Sequence, residues 1–143
     1  MQYWDTSTLL KLYVPEPDSA RFAAHVILPN VYSSELARWE LLRAITRKEM
    51  ENAIPAMSAE AVFSRFLADV SAGRVILLPW DATIEARFRT LVPQLHRRQP
   101  PVVIRTQDAI HLATADVLAA TEVVTTDPHI RAGTTAIGLK LFP

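Results

Sequence analysis

Short apolar or β-branched stretches alternate with helix-patterned segments along this whole chain, and that alternation limits its fold more than any other feature. Gln2 to Trp4 runs directly into Asp5 and the hydroxyl residues Thr6, Ser7 and Thr8. Val31-Tyr32 precedes Ser33-Ser34, Val75 to Leu78 lies between Gly73 and Pro79, and Glu122 to Thr126 ends on Asp127. Strands in series with helices imply parallel strands, because each right-handed crossover returns the chain to the same edge of the sheet. The expected architecture is a three-layer α/β/α domain with a central parallel sheet of four to five short strands, a single domain over residues 1–143.

The helices follow from caps and periodicity. The first begins among Thr6 to Thr8 and must end before Pro15, which lacks an N–H and disfavours an α conformation just before it. A second, from about Ser19 to Val26, places Ala20, Ala23 and Ala24 together. In the clearest helix Leu36, Ala37, Leu41, Ala44 and Ile45 recur at helical spacing after Ser33-Ser34, whose hydroxyls read as N-caps. Ser58 to Ala72 has Ala61, Val62, Phe66 and Val70 as its inward face and stops at Gly73. Val75 to Leu78, continuously apolar, reads as a strand buried on both faces.

Asp81 caps a helix carrying Ile84, Phe88, Leu91, Val92 and Leu95, and Thr106 reads as the cap of another over Gln107 to Ala120. Asp127-Pro128 pairs an N-cap with proline at the first helical position, and Gly138 to Leu141 supplies a last strand.

Fifteen basic residues balance fifteen acidic ones, so bulk charge selects no partner, and nucleic-acid binding would need local patches. The absence of cysteine excludes disulfides and thiolate metal sites. No basic leader precedes an apolar run, and no uncharged stretch approaches the roughly 20 residues of a membrane helix, which predicts a cytoplasmic protein with no membrane partner.

The chemistry must therefore come from the acids. An aspartate at a strand-to-helix junction is ordinarily a helix cap, and Glu40 alone reads as a solvated or arginine-paired helix residue. Their joint placement says more. Asp5 and Asp127 both follow strands and should converge on one edge, with Glu40 and Asp108 entering if their helices start there. Two carboxylates about 4 Å apart repel by roughly 4 kcal/mol at an effective dielectric near 20, so such a cluster needs protons or cations. Mg²⁺ or Mn²⁺ suits an all-oxygen site.

Tyr3-Trp4-Asp5-Thr6-Ser7, the segment Ser34 to Ala44, the run Asp108-Ala109-Ile110-His111-Leu112-Ala113-Thr114-Ala115, and Thr125-Thr126-Asp127 together resemble a PIN domain of the VapC toxin type, over essentially the whole chain. The resemblance implies a PIN-like fold and a ribonuclease dependent on Mg²⁺ or Mn²⁺. It places the catalytic and metal-binding acids on Asp5, Glu40, Asp108 and Asp127, with supporting hydroxyls on Thr6, Ser7 and Thr125. It also implies an RNA substrate, a small cognate antitoxin and a homodimer. Thr126 departs from the family's usual larger residue, a difference that bears on substrate contacts.

Arg43 and Arg105 are candidate phosphate contacts, and Arg43 is also a candidate partner for a site carboxylate. His111, three residues after Asp108, is within reach of the pocket but reads first as hydrogen-bonded structure in an apolar helix, Asp116 as an exposed acid about 80° around that helix from Asp108, and Trp39, Phe63 and Phe66 as core or partner grooves. Two other functions remain open from sequence. One is a haloacid-dehalogenase-like phosphohydrolase with Asp5 as nucleophile, although Ser7 stands where its second aspartate belongs. The other is a non-catalytic PIN module acting through a partner.

Overall fold

The computed structural model of the chain describes residues 1–27 and 29–143. Along the sequence run β1 (Gln2–Trp4), α1 (Thr6–Leu10), α2 (Ser19–His25), β2 (Val31–Ser34), α3 (Leu36–Met50) and α4 (Ala59–Ser71). They are followed by β3 (Val75–Leu78), α5 (Ala82–His96), α6 (Thr106–Val117), β4 (Glu122–Val124), α7 (Pro128–Ile137) and β5 (Lys140–Phe142). The five strands form one sheet in the order β3-β2-β1-β4-β5, every pairing parallel. The chain first lays strands to one side of β1 and then crosses to the other, so its direction of winding reverses between β1 and β4.

Side-chain alternation along β1 divides the core. Trp4 packs with Leu9, Leu41, Phe66 and Val124 under α1 to α4, whereas Tyr3 joins Ala115, Val123 and Ile130 on the face covered by α5 to α7. Both aromatic rings have no solvent exposure, and burying one typically contributes several kcal/mol beyond leaving it exposed. The expected three layers and parallel sheet are thus present. No helix among the described residues is long and apolar enough to cross a membrane.

Several local expectations need correction. β3 is an edge strand in which only Val75 is buried, because no strand lies beyond it. Ser33 and Ser34 belong to β2: Ser33 Oγ donates to the Trp4 carbonyl at 2.7 Å, tying β2 to β1, and Glu35 takes the cap position of α3, while Ser34 Oγ still accepts from the Leu36 N–H at 3.2 Å. The inward face of α4 is Ala59, Phe63 and Phe66, with Val62 and Val70 half-buried against the same core as expected, while Ala61 is exposed. Phe63 and Phe66 are core as expected; Trp39 is 61 % exposed on the outer face of α3. Asp116 is half-buried and paired with Arg87 of α5. Gly73 does end α4, at φ 71°, a left-handed conformation that side chains resist.

Gly133 sets how closely α7 approaches α6. A Cβ there would stand 2.5 Å from Leu112 Cδ2 and 3.3 Å from Ile104 Cδ1, both on buried side chains. Gly133→Ala should therefore destabilise the fold by about 1–3 kcal/mol through overpacking, measured by urea unfolding, despite the higher helix propensity of alanine.

Candidate active site

The carboxyl edge of the sheet receives four acids from different elements. Asp5 follows β1, Glu40 lies in the second turn of α3, Asp108 in the first turn of α6, and Asp127 caps α7. With Ser7, Arg43, Arg105 and His111 they line a cleft of about 720 Å³. The convergence of Asp5 and Asp127 follows from strand adjacency, since the Asp5 N–H continues the β1–β4 ladder by donating to the Val124 carbonyl at 3.1 Å. Crevices at such a reversal of winding are where open α/β sheets bind ligands.

Asp5 is 2 % exposed, and a buried carboxylate persists only when donors fill its lone pairs. Its Oδ1 accepts from the Thr8 N–H at 2.9 Å, which caps α1, and from Thr8 Oγ1 at 2.7 Å. Oδ2 accepts from Thr125 Oγ1 at 2.5 Å, and Ser7 Oγ lies within 3.0 Å of both oxygens. Thr125 Oγ1 in turn accepts from the Asp127 N–H at 3.0 Å, so one hydroxyl joins two of the acids.

Glu40 Oε2 accepts from Thr6 Oγ1 and lies 2.8 Å from His111 Nε2. Burial alone would push its carboxyl up. The hydrogen bond and charge of His111, with smaller contributions from Thr6 and Arg105, outweigh that and hold it below the ordinary glutamate range.

Asp108 and Asp127 share Arg105. Its Nε donates to Asp108 Oδ2 at 2.6 Å, and Nη2 reaches Asp108 Oδ1 at 3.2 Å and Asp127 Oδ2 at 2.8 Å. Hydrogen bonding to Asp108, then the two carboxylate charges, raise the arginine's pKa further. Because the Arg105 side chain is 61 % exposed, solvent screens the pairing, and little stability rests on it.

Each candidate ligand offers carboxylate oxygens, the donor chemistry that hard divalent cations favour. Among the described residues no three Asp, Glu or His side chains close on a single point. Arg105 supplies the positive charge between Asp108 and Asp127, and hydroxyls surround Asp5. The donor types therefore fit Mg²⁺ or Mn²⁺.

Of the supporting hydroxyls, Ser7 and Thr125 contact Asp5 and Thr6 contacts Glu40. Arg105 bonds the acids themselves, and Arg43, exposed in the cleft, has no hydrogen-bonding partner among the described residues. Sequence reasoning missed Thr8, although its place three residues after an N-cap aspartate is the position whose N–H such a cap binds. Of the two sequence readings of His111, hydrogen-bonded structure and approach to the pocket, both hold: its ring is buried and bonded, and it ends on Glu40 in the cleft.

A family profile described as PIN domain matches residues 3–133. Among solved structures, the chain is similar to FitAcB from Neisseria gonorrhoeae, with 19 % identity, TM-score 0.68 and coverage of 100 % of this chain and 97 % of the other. FitAB bound to an IR36 DNA fragment aligns at 20 % identity and TM-score 0.70, covering 99 % and 94 % of the two chains. VapBC-1 from nontypeable Haemophilus influenzae aligns at 19 % identity and TM-score 0.65, covering 99 % and 97 %. At these identities the likeness is one of fold. No curated protein matches the chain significantly.

A carboxylate whose folded pKa is depressed contributes stability in full above its unfolded value, about 4.3 for glutamate, and loses it as the pH falls through the lower folded value. Urea unfolding should therefore find Glu40→Gln less stable than wild type at pH 7, with the gap closing below pH ~4; a gap undiminished in acid would contradict the depressed value.

Proposed function

This chain belongs to the PIN domain family, and from that premise we propose that it is a divalent-metal-dependent endoribonuclease acting as the toxin of a VapBC-type toxin-antitoxin pair. The observation that carries the reading is the cleft, where Asp5, Glu40, Asp108 and Asp127, dispersed from position 5 to position 127, line one cavity beside exposed arginines. Their carboxylates would hold Mg²⁺ or Mn²⁺, which when bound activates a water and neutralises charge on the leaving oxygen.

The remaining work falls to the chain's own groups. Ser7, Thr8 and Thr125 fix Asp5 by hydrogen bonds to both its oxygens. Asp108 lies in the first turn of α6 and Asp127 caps α7, so both carboxylates stand at positive helix ends. Arg43, one turn beyond Glu40 on α3 and without an internal partner, is free to bind a phosphodiester oxygen. Arg105 is free to do the same once a cation takes over the charge of Asp108 and Asp127.

The motif resemblance to VapC toxins and the fold's likeness to VapBC-1 support a small antitoxin as partner. A homodimer accords with the exposed Ala20, Ala23 and Ala24 on α2. Asp5 as a phosphoryl-accepting nucleophile is disfavoured, since Ser7 stands where the second aspartate of such enzymes belongs.

With total RNA and Mn²⁺ the wild type should give EDTA-reversible cleavage at defined ends, and Asp5→Asn should lower the rate roughly 100-fold or more, at least the loss seen when a ligand's support is removed. Near-native circular dichroism should accompany that loss. A folded Asp5→Asn protein with full activity would refute the assignment.

A further inference from the structure

Glu40 is the one acid of the four whose carboxylate is held from behind by a buried aromatic chain. Tyr3, on β1 and fully buried, places its hydroxyl 2.7 Å from His111 Nδ1 on α6, and His111 Nε2 lies 2.8 Å from Glu40 Oε2 on α3. Both ring nitrogens are thereby engaged. The imidazole is 2 % exposed, so bulk solvent does not reorient it. Thr6 Oγ1 completes the group, donating to the same Oε2 and lying 3.2 Å from Nε2.

The direction of these bonds follows from what each atom can do. An ionised carboxylate only accepts, so Nε2 must carry a hydrogen toward Glu40. The Tyr3 hydroxyl, able both to donate and to accept, pairs with Nδ1 whether or not that nitrogen carries a hydrogen. Glu40 Oε2 is consumed by His111 and Thr6, whereas Oε1 has no donor among the described residues.

We infer that His111 is a positioning residue, held at Nδ1 by Tyr3, whose Nε2–H anchors Glu40 Oε2 and leaves Oε1 as the oxygen offered to a bound cation. The arrangement matches a general feature of metal sites, in which outer partners fix the orientation of a ligand. It differs from the neighbouring acids: Asp108 and Asp127 lean on an exposed arginine that can withdraw, but Glu40 leans on groups that cannot move without opening the core. The inference rests on the metal-dependent reading above.

The test measures Mn²⁺ affinity by calorimetry, with RNA cleavage assayed separately. A glutamine amide can replace the Nε2 donor toward Glu40, whereas the shorter asparagine reaches only the Tyr3 side. His111→Asn should weaken Mn²⁺ binding roughly 10- to 100-fold, with kcat lowered and the KM for RNA little changed. His111→Gln should recover most of the affinity. Tyr3→Phe, which removes one hydroxyl and keeps the ring, should weaken binding several-fold and serves if the histidine variants do not fold. Wild-type affinity in Tyr3→Phe or in a folded His111→Asn, or equal loss in the asparagine and glutamine variants, would overturn the positioning role while leaving the nuclease reading intact. A wild type that neither binds Mn²⁺ nor cleaves RNA would overturn both.

Discussion

Four carboxylates in one cleft repel one another, and each pair brought within about 4 Å costs roughly 4 kcal/mol at an effective dielectric near 20. The polar architecture around the cleft answers that cost in three different ways. Asp5 is screened by hydroxyls and a backbone N–H, Glu40 by an imidazole, and Asp108 with Asp127 by a guanidinium. These solutions differ in mobility. The first two are buried and fixed, and the third is a long exposed side chain on the segment leading into α6.

The backbone delivers this arrangement with few special devices. β1 sits at the centre of the sheet, and its alternation sends Trp4 into one core and Tyr3 into the other. Tyr3 therefore reaches α6 from beneath while Asp5, two residues on, emerges at the edge. Gly133 lets α7 close on α6, which brings Asp127 and Asp108 within reach of a single arginine. Packing in the hydrophobic layer and charge compensation in the cleft are thus coupled through the same helices.

Much of this could be read from sequence, for physical reasons that vary by residue. Strand-to-helix junctions announce themselves through local chemistry, so Asp5 and Asp127 were visible as caps, and parallel topology sent them to one edge. The number of layers followed from alternation alone. The partial exposure of Ile76 to Leu78 did not, because a run of apolar residues is the same whether its strand lies in the middle of a sheet or at its border. Trp39 was open between core and partner groove for a related reason, and its exposure removes only the first: helical spacing places it beside the apolar stripe of α3 but does not say where that stripe ends. His111 and Tyr3 lie 108 residues apart, and Arg105 and Asp127 lie 22 apart. Such bonds depend on how helices dock, which no local pattern encodes.

The sheet order also imposes a timetable. β1 is synthesised first, yet one of its two neighbours, β4, comes some 120 residues later, and the hydroxyl nearest Asp5 Oδ2 arrives with it on Thr125. Closing so long a loop precedes any reward from the contacts it makes, a topology that folds slowly. A growing chain that has completed only β1 to β3 holds Asp5 and Glu40 but neither Asp108 nor Asp127. At that point half of the cleft's acids are in place, and the set is complete only when Asp127 follows β4 to the edge of the sheet.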